Sequence, residues 1–224
     1  MVLLSLFRAR IQIVAWSIAV ACFLAMGASS AELAEHPTVI RIAGDEVFPP
    51  YEFVAESGAY TGFNVDLMNA ISIELGISIE LIPMPWSRVR AALESGEVDA
   101  IQGMKYSPDR DLIYDFSLPY LSSAMAIFVR KDRLDISSLK DLVGIRVAVQ
   151  RGDISNEALR KTPTVKPVVF ENQRAALESL MAGQVDAFLG NRLAGMYMVQ
   201  RRMKTQDVKI AGEPIDPASY CIAV

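Results

Sequence analysis

The sequence predicts an α/β protein of two lobes, each a mostly parallel sheet flanked by helices. Three observations point there. The hexapeptide Arg-Ala-Ala-Leu-Glu-Ser occurs at Arg90–Ser95 and again at Arg174–Ser179. Each copy is preceded by a short apolar, β-branched run and followed by a glycine and a Val-Asp-Ala strand, at Gly96–Ile101 and Gly183–Phe188. Strand, helix, strand at this spacing is a parallel crossover unit, because parallel neighbours need a long connection. Two copies 84 residues apart are too few and too widely spaced for a solenoid, so each repeat organises one lobe.

Taken in order, Val39–Ala43 places Ile40 and Ile42 on one face of a strand that enters a loop at Gly44-Asp45. Phe48-Pro49-Pro50-Tyr51 is non-helical, since proline disfavours the helical region for the residue before it. Asn64 reads as the N-cap of a helix with an apolar stripe at Leu67, Met68, Ile71 and Leu75, closed by Gly76. Ile77–Ile82 is the next strand. Ser87 caps a helix carrying Val89, Ala92 and Leu93, Gly96 stops it, and Val98–Ile101 is a strand. Arg146–Gln150 is a strand, Gly152-Asp153 a turn, and Ser155 or Asn156 the cap of a helix to Lys161. Val168–Phe170 precedes the second copy, in which Asn172 caps a helix carrying Ala176, Leu177 and Leu180. Gly183 stops it, and Val185–Leu189 is the strand.

With 224 residues, 52% of them hydrophobic, the chain can bury a sizeable core. Its start is different in kind. Arg8 and Arg10 precede an apolar run, Ile11–Ala28, and then Ser29-Ser30-Ala31. That order describes a signal peptide over residues 1–31, cut after Ala31. The other reading is an uncleaved anchor, for which 18 residues is at the short end. Cys22 is a poor lipoprotein site, because Ala19-Val20-Ala21 is a weak lead-in and the apolar run continues past it. Without Arg8 and Arg10, 20 basic residues face 26 acidic ones, about −6, with no basic run, which argues against nucleic acid. Cys221 is the one cysteine left, so no internal disulfide forms and the exported part rests on its core.

In parallel sheets ligands bind beyond the carboxyl ends of strands. Those ends run here into Gln102–Arg110 and into Gly190-Asn191-Arg192, so each repeat would supply one wall of a site. Six motifs in order then carry a resemblance. They are Gly62-Phe63-x-Val65-Asp66-Leu67, Gly96-x-Val98-Asp99-Ala100 and Gly103-Met104-x-x-Ser107-Pro108-x-Arg110. The second set is Tyr114-x-Phe116-Ser117-x-Pro119-Tyr120, Gly144-x-Arg146-Val147-Ala148-Val149-x-x-Gly152 and Gly183-x-Val185-Asp186-Ala187. From Val39 to Val224 the chain resembles the bacterial extracellular solute-binding proteins of family 3, the polar amino-acid type.

The resemblance implies a type 2 periplasmic-binding clamshell that closes on a small carboxylate-bearing solute, an amino acid first among them, with no cofactor, no metal and no catalysis. It implies lobe 1 over 38–120, lobe 2 over 121–218, and a return to lobe 1 at 219–224, with lobe 1 incomplete at its C-terminal end. Arg110 matches the arginine that grips the ligand carboxylate, a role suited to a planar, always charged fork. Phe48 matches an aromatic packed on the ligand, Trp86 a second cleft aromatic, and Gly103 lies in the binding loop. The chain departs from the family pattern at Asn191, where an acidic residue normally holds the ammonium. It departs again at Asp153, in place of a threonine, and at Lys105, in place of a small hydroxyl residue. Asp45 or Asp153 could supply the missing charge, and a Lys105 that entered the cleft would favour extra negative charge on the ligand. The implied partners are a transporter permease or a fused signalling domain, and the implied location is the periplasm. Against this stands an enzyme on the same scaffold, a dehydratase or the substrate-binding part of a lytic transglycosylase. His36 is the only histidine and lies before the first strand, and no metal-ligand cluster or Gly-x-Ser-x-Gly motif occurs.

Overall fold

The structure is a computed structural model that describes residues 39–162, 164–201 and 207–224. The leader expected at 1–31, Cys22 and His36 lie outside the described residues.

The first half of the chain forms β1 (Ile40–Asp45), β2 (Val47–Phe48), β3 (Glu52–Val54), β4 (Tyr60–Thr61), α1 (Phe63–Leu75), β5 (Ile79–Met84), α2 (Trp86–Glu94) and β6 (Ala100–Lys105). Then come β7 (Leu121–Arg130), β8 (Arg146–Gln150), α3 (Ile154–Arg160), β9 (Lys166–Phe170), α4 (Gln173–Met181), β10 (Ala187–Asn191), α5 (Arg192–Arg201) and β11 (Val208–Ala223). The main sheet has the order β5-β1-β6-β11-β7-β10-β8-β9, and β2-β3-β4 form a small separate sheet.

This order explains the repeat. In each half a central strand, β1 or β8, is flanked in parallel by the two strands of a crossover unit, β5 and β6 or β9 and β10. The helix of each unit, α2 or α4, packs against that central strand. The third residue of each hexapeptide, Ala92 and Ala176, is buried there, small enough to let helix and sheet approach.

The halves are not separate sheets. β11 pairs antiparallel with both β6 and β7, and β7 pairs with β10, so the ladder runs on from one half to the other. These two long strands pair off the inner edges of both halves, leaving β5 and β9 as the outer edges. Each outer strand carries a proline, Pro83 and Pro167, which a strand paired on one side tolerates. β11 changes register twice on its way, and Gly212 sits in that irregular stretch at φ 73. A Cβ there would lie 1.9 Å from the Ser137 carbonyl oxygen, so the crossing needs glycine.

Several local expectations are corrected. The strands after the repeats begin at Ala100 and Ala187, two residues late, because Val-Asp is a corner rather than a strand. Val98 and Val185 are buried in it. Asp99 accepts from the Arg41 backbone N–H at 2.8 Å and from its guanidinium at 2.9 and 3.2 Å. Asp186 holds Arg146 in the same way at 3.1, 3.1 and 3.3 Å. Each aspartate thus pins the arginine near the start of a central strand. β5 is likewise later than expected, at Ile79.

Asn64 is not a cap: Gly62 precedes α1, and the Asn64 amide is buried, donating to Glu52 and accepting from the Tyr120 hydroxyl. Leu75 is exposed; the buried face of α1 is Val65 and Met68. Pro85, with its fixed φ of −56°, opens α2 in place of Ser87. Asp153 caps α3 by accepting from the Ser155 N–H at 2.9 Å, while Ser155 and Asn156 are buried in the first turn. Asn172 caps α4 as expected, accepting from the Ala175 N–H at 2.9 Å.

Both faces of the sheet are covered. In the second half Val147 and Val149 face one core with Leu159 of α3, and Ala148 faces the other with Leu177 and Leu180 of α4. This is strand alternation in a sheet buried on both sides. Phe128 and Phe188 stack at 5.3 Å within the second of these cores.

Candidate functional site

The carboxyl ends of two parallel pairs, β1 and β6 in one half and β8 and β10 in the other, meet between the halves, and each strand ends on a buried polar side chain: Asp45, Lys105, Gln150 and Asn191. They line one pocket with the other residues singled out in the sequence, Phe48, Trp86, Gly103, Arg110 and Asp153. The structure therefore brings all eight sequence candidates together with Gln150. The space within it that the centre of a water-sized molecule can reach is about 30 Å³.

Arg110 is nearly fully buried beneath this pocket, at 2% exposure. The turn after Ser107-Pro108 carries it, with the Arg110 N–H bonded back to the Ser107 carbonyl at 3.0 Å. Its guanidinium lies over the Trp86 ring at 5.9 Å. Nε and Nη2 donate to the two carboxylate oxygens of Glu157 at 3.2 and 3.1 Å, across the cleft. Nη2 also reaches the Gly152 carbonyl at 3.3 Å, and Nη1 the Lys105 carbonyl at 3.2 Å. Four of the five guanidinium donors are thus engaged, three of those bonds going to the second half. Arg90 joins the same carboxylate at 2.8 Å, and the Trp86 indole donates to Gly152 at 2.9 Å. The bonds from Arg110 to Glu157 and Gly152 all cross between the halves, and a guanidinium of this shape can donate two parallel bonds to a carboxylate.

Asp45 accepts from the Val47 N–H at 2.9 Å and, across the cleft, from the Gln150 amide at 2.8 Å. Burial raises its pKa from 3.8 to about 6. Among the described residues no cation is paired with it. Asp153 faces the pocket too, but its Oδ1 is engaged by the Ser155 backbone and hydroxyl as the α3 cap. Asn191 also acts as a cap: its oxygen accepts from the Ala194 N–H at 2.9 Å and its amide donates to the Ser123 hydroxyl at 2.7 Å. Lys105 is 5% exposed, and its ammonium donates to the carbonyl and, at 2.9 Å, to the carboxylate of Asp216 on β11.

Phe48 stacks on Tyr51 at 5.0 Å and Tyr51 on Tyr220 at 5.5 Å, forming an aromatic wall. Gly103 faces that wall. A Cβ on it would meet the Tyr220 ring at 2.5 Å and the Asn64 amide at 2.6 Å, so its glycine lets β6 lie against the aromatics.

Sequence reading missed Gln150, Glu157 and Glu52. Glu52 is fully buried at the pocket wall, accepting from the Asp45 N–H at 2.7 Å and from the amides of Asn64 and Gln102 at 2.6 Å each. Burial raises its pKa from 4.5 to about 8, so it is largely protonated at neutral pH. None of the three is a defining residue of a motif; Glu52 and Gln150 are polar residues in strands of largely apolar surroundings, and Glu157 is one polar residue on α3 among several. Among the described residues no group of His, Cys, Asp and Glu could hold a metal ion, and no helix is long and apolar enough to cross a membrane.

Two α/β halves joined by crossing strands, with a buried arginine and carboxylate between them, define a solute-binding fold. The chain belongs to the bacterial extracellular solute-binding proteins, family 3, whose sequence profile matches residues 40–162. It is 31% identical over 169 residues to the L-cystine-binding protein of Escherichia coli K12, an alignment covering 74% of this chain and 63% of that protein. It therefore spans less than two thirds of that relative's length. Among solved structures, an ancestral arginine-binding protein bound to arginine superposes with a TM-score of 0.77 and 35% identity, covering 83% of this chain and 84% of the other. A histidine kinase sensor domain similar to periplasmic binding proteins gives 0.78 and 33%, covering 84% and 82%. The type 2 clamshell expected from the sequence is the fold of these neighbours.

Proposed function

We propose that this chain binds an amino acid outside the cytoplasm by closing two halves on it, and does so without turnover. In this reading the lobes are 38–120 and 121–218, with 219–224 returning to the first. Arg110 takes the α-carboxylate, and Asp45 takes the ammonium in place of the acidic residue that Asn191 replaces. Phe48, Trp86 and Gly103 shape the walls. Asp153 and Lys105 border the ligand. The chain is exported to the periplasm, and either delivers its solute to an ABC-type permease or reports it through a fused signalling domain. A Vibrio harveyi relative named as an amino-acid ABC transporter-binding protein supports the first route, and the histidine kinase sensor domain supports the second.

The observation that carries the reading is one buried pocket, walled by both halves, in which a guanidinium and an ionisable carboxylate face the same space. Closure follows because a ligand held by both walls binds the closed form more tightly than the open one. Micromolar affinity corresponds to about −8 kcal/mol, of which a desolvated arginine–carboxylate contact contributes roughly 1.5–3 kcal/mol. Titration calorimetry of the full chain with the L-amino acids tests this. At least one is expected to bind, and Arg110→Ala is expected to weaken it at least about tenfold, or roughly 1.4 kcal/mol. Equal affinity in the variant contradicts the role of Arg110; recovery of the ligand chemically altered contradicts binding without turnover.

A further inference from the structure

We infer that the amino acid this site takes carries a second anionic group on its side chain, and that Lys105 receives it; the inference rests on the amino-acid-binding reading above. Lys105 ends β6 inside the pocket, and its backbone carbonyl accepts from Arg110, so the two cations stand on one wall. Its ammonium is held by Asp216 alone among the described residues. Asp216 is 61% exposed, so water can take over its carboxylate when another anion claims the lysine. It also sits in the irregular stretch of β11 at φ 47, where ladder bonds do not fix it. The same exchange applies to Arg110, whose bound Glu157 shows how a carboxylate lies along that fork.

The charges left facing the pocket then match one kind of solute. Lys105 and Arg110 are two cations. Asp45 is one carboxylate without a cationic partner among the described residues. Asp153 lines the pocket as well, with one of its oxygens engaged as a helix cap, and Glu52 is closed in by Asn64, Gln102 and the Asp45 N–H. The two cations complement two carboxylates on the solute, and Asp45 complements its ammonium.

The approach to the pocket agrees. A groove of about 540 Å³ that shares Arg110 with the pocket is lined by Arg90, Arg151, Arg160 and Lys161. Arg90, Arg151 and Lys161 are ion-paired there with Glu157, Glu171 and Asp109, so the excess of positive charge beside the pocket is small but of the sign that attracts an anion.

Calorimetry on the full chain compares L-glutamate with L-glutamine and L-aspartate with L-asparagine, pairs alike in shape and unlike in charge. The acid of at least one pair is expected to bind at least about tenfold more tightly than its amide, and Lys105→Gln to bring that ratio close to one. Amides that bind as tightly as the acids in the unaltered chain overturn the inference without needing the variant. So does a ratio that survives in a folded Lys105→Gln. If a neutral or cationic amino acid binds best, the second anion is wrong and amino-acid binding stands. If no amino acid binds, both fall.

Discussion

At Arg110 the chain's own Glu157 lies along the edge of the guanidinium that a ligand carboxylate would use. Charge-assisted, two-point contacts of this kind are strong when water is kept out, and both partners are largely shielded here. Asp45 faces the opposite situation, a buried carboxylate held by an amide and a backbone N–H, with no cation among the described residues to offset its desolvation. Its raised pKa of about 6 has a direct consequence for binding. With Asp45 in the proposed role, the ammonium is held only by the ionised form, so affinity is full well above pH 6, about half near it, and falls further as pH drops, because protons compete for the same oxygens. Calorimetry between about pH 8 and pH 5 should show that decline, and Asp45→Asn should be weak at every pH. A flat profile in the unaltered chain would remove Asp45 from the ammonium site. Motif and strand-end reasoning found Asp45, Lys105 and Arg110 because each stands at a position defined by local sequence. Glu157 and Gln150 stayed hidden because their partners lie 47 and 105 residues away, and nothing local marks them.

At the scale of elements, the two crossover units use one plan with different joints. The hexapeptide places a small residue against the central strand, and the Val-Asp corner ties the next strand to the start of that central one. The helices begin differently: Asn172 caps α4, whereas Pro85 opens α2 and Ser87 does no capping. Replacing Asn172 by Ala is therefore expected to cost about 1 kcal/mol of stability in denaturant unfolding, and replacing Ser87 by Ala only a few tenths or less. Equal costs would mean that the α2 start has been misassigned. Helices and parallel strands were legible because apolar period, glycine stops and caps are local signals. Strand ends were not, because a Val-Asp corner and the start of a strand read alike in sequence. The Pro83 and Pro167 strands were readable only in part, since their tolerance of proline depends on being at the sheet's edge.

For the molecule as a whole, the sheet runs unbroken through β11 and β7, yet the pocket lies between the halves on the side where strands end. The crossing strands are long, and β11 shifts register on either side of Ile215, next to Gly212 and Asp216 at positive φ, so the proposed closure places its bend there. The bonds that close the cleft come from side chains and loop carbonyls: Arg110 and Arg90 to Glu157, Trp86 to Gly152, Gln150 to Asp45. Such contacts can be exchanged for ligand contacts without unfolding either half. The most direct measurement is the distance between spin labels on Ile113 and Val169, which border the groove from opposite halves, in the full chain with and without a bound amino acid. A broad or longer distance is expected to become short and narrow on binding, with no such change for Arg110→Ala at the same ligand concentration. A single unchanged distance in a chain shown by calorimetry to hold its ligand would contradict closure of two halves around Arg110.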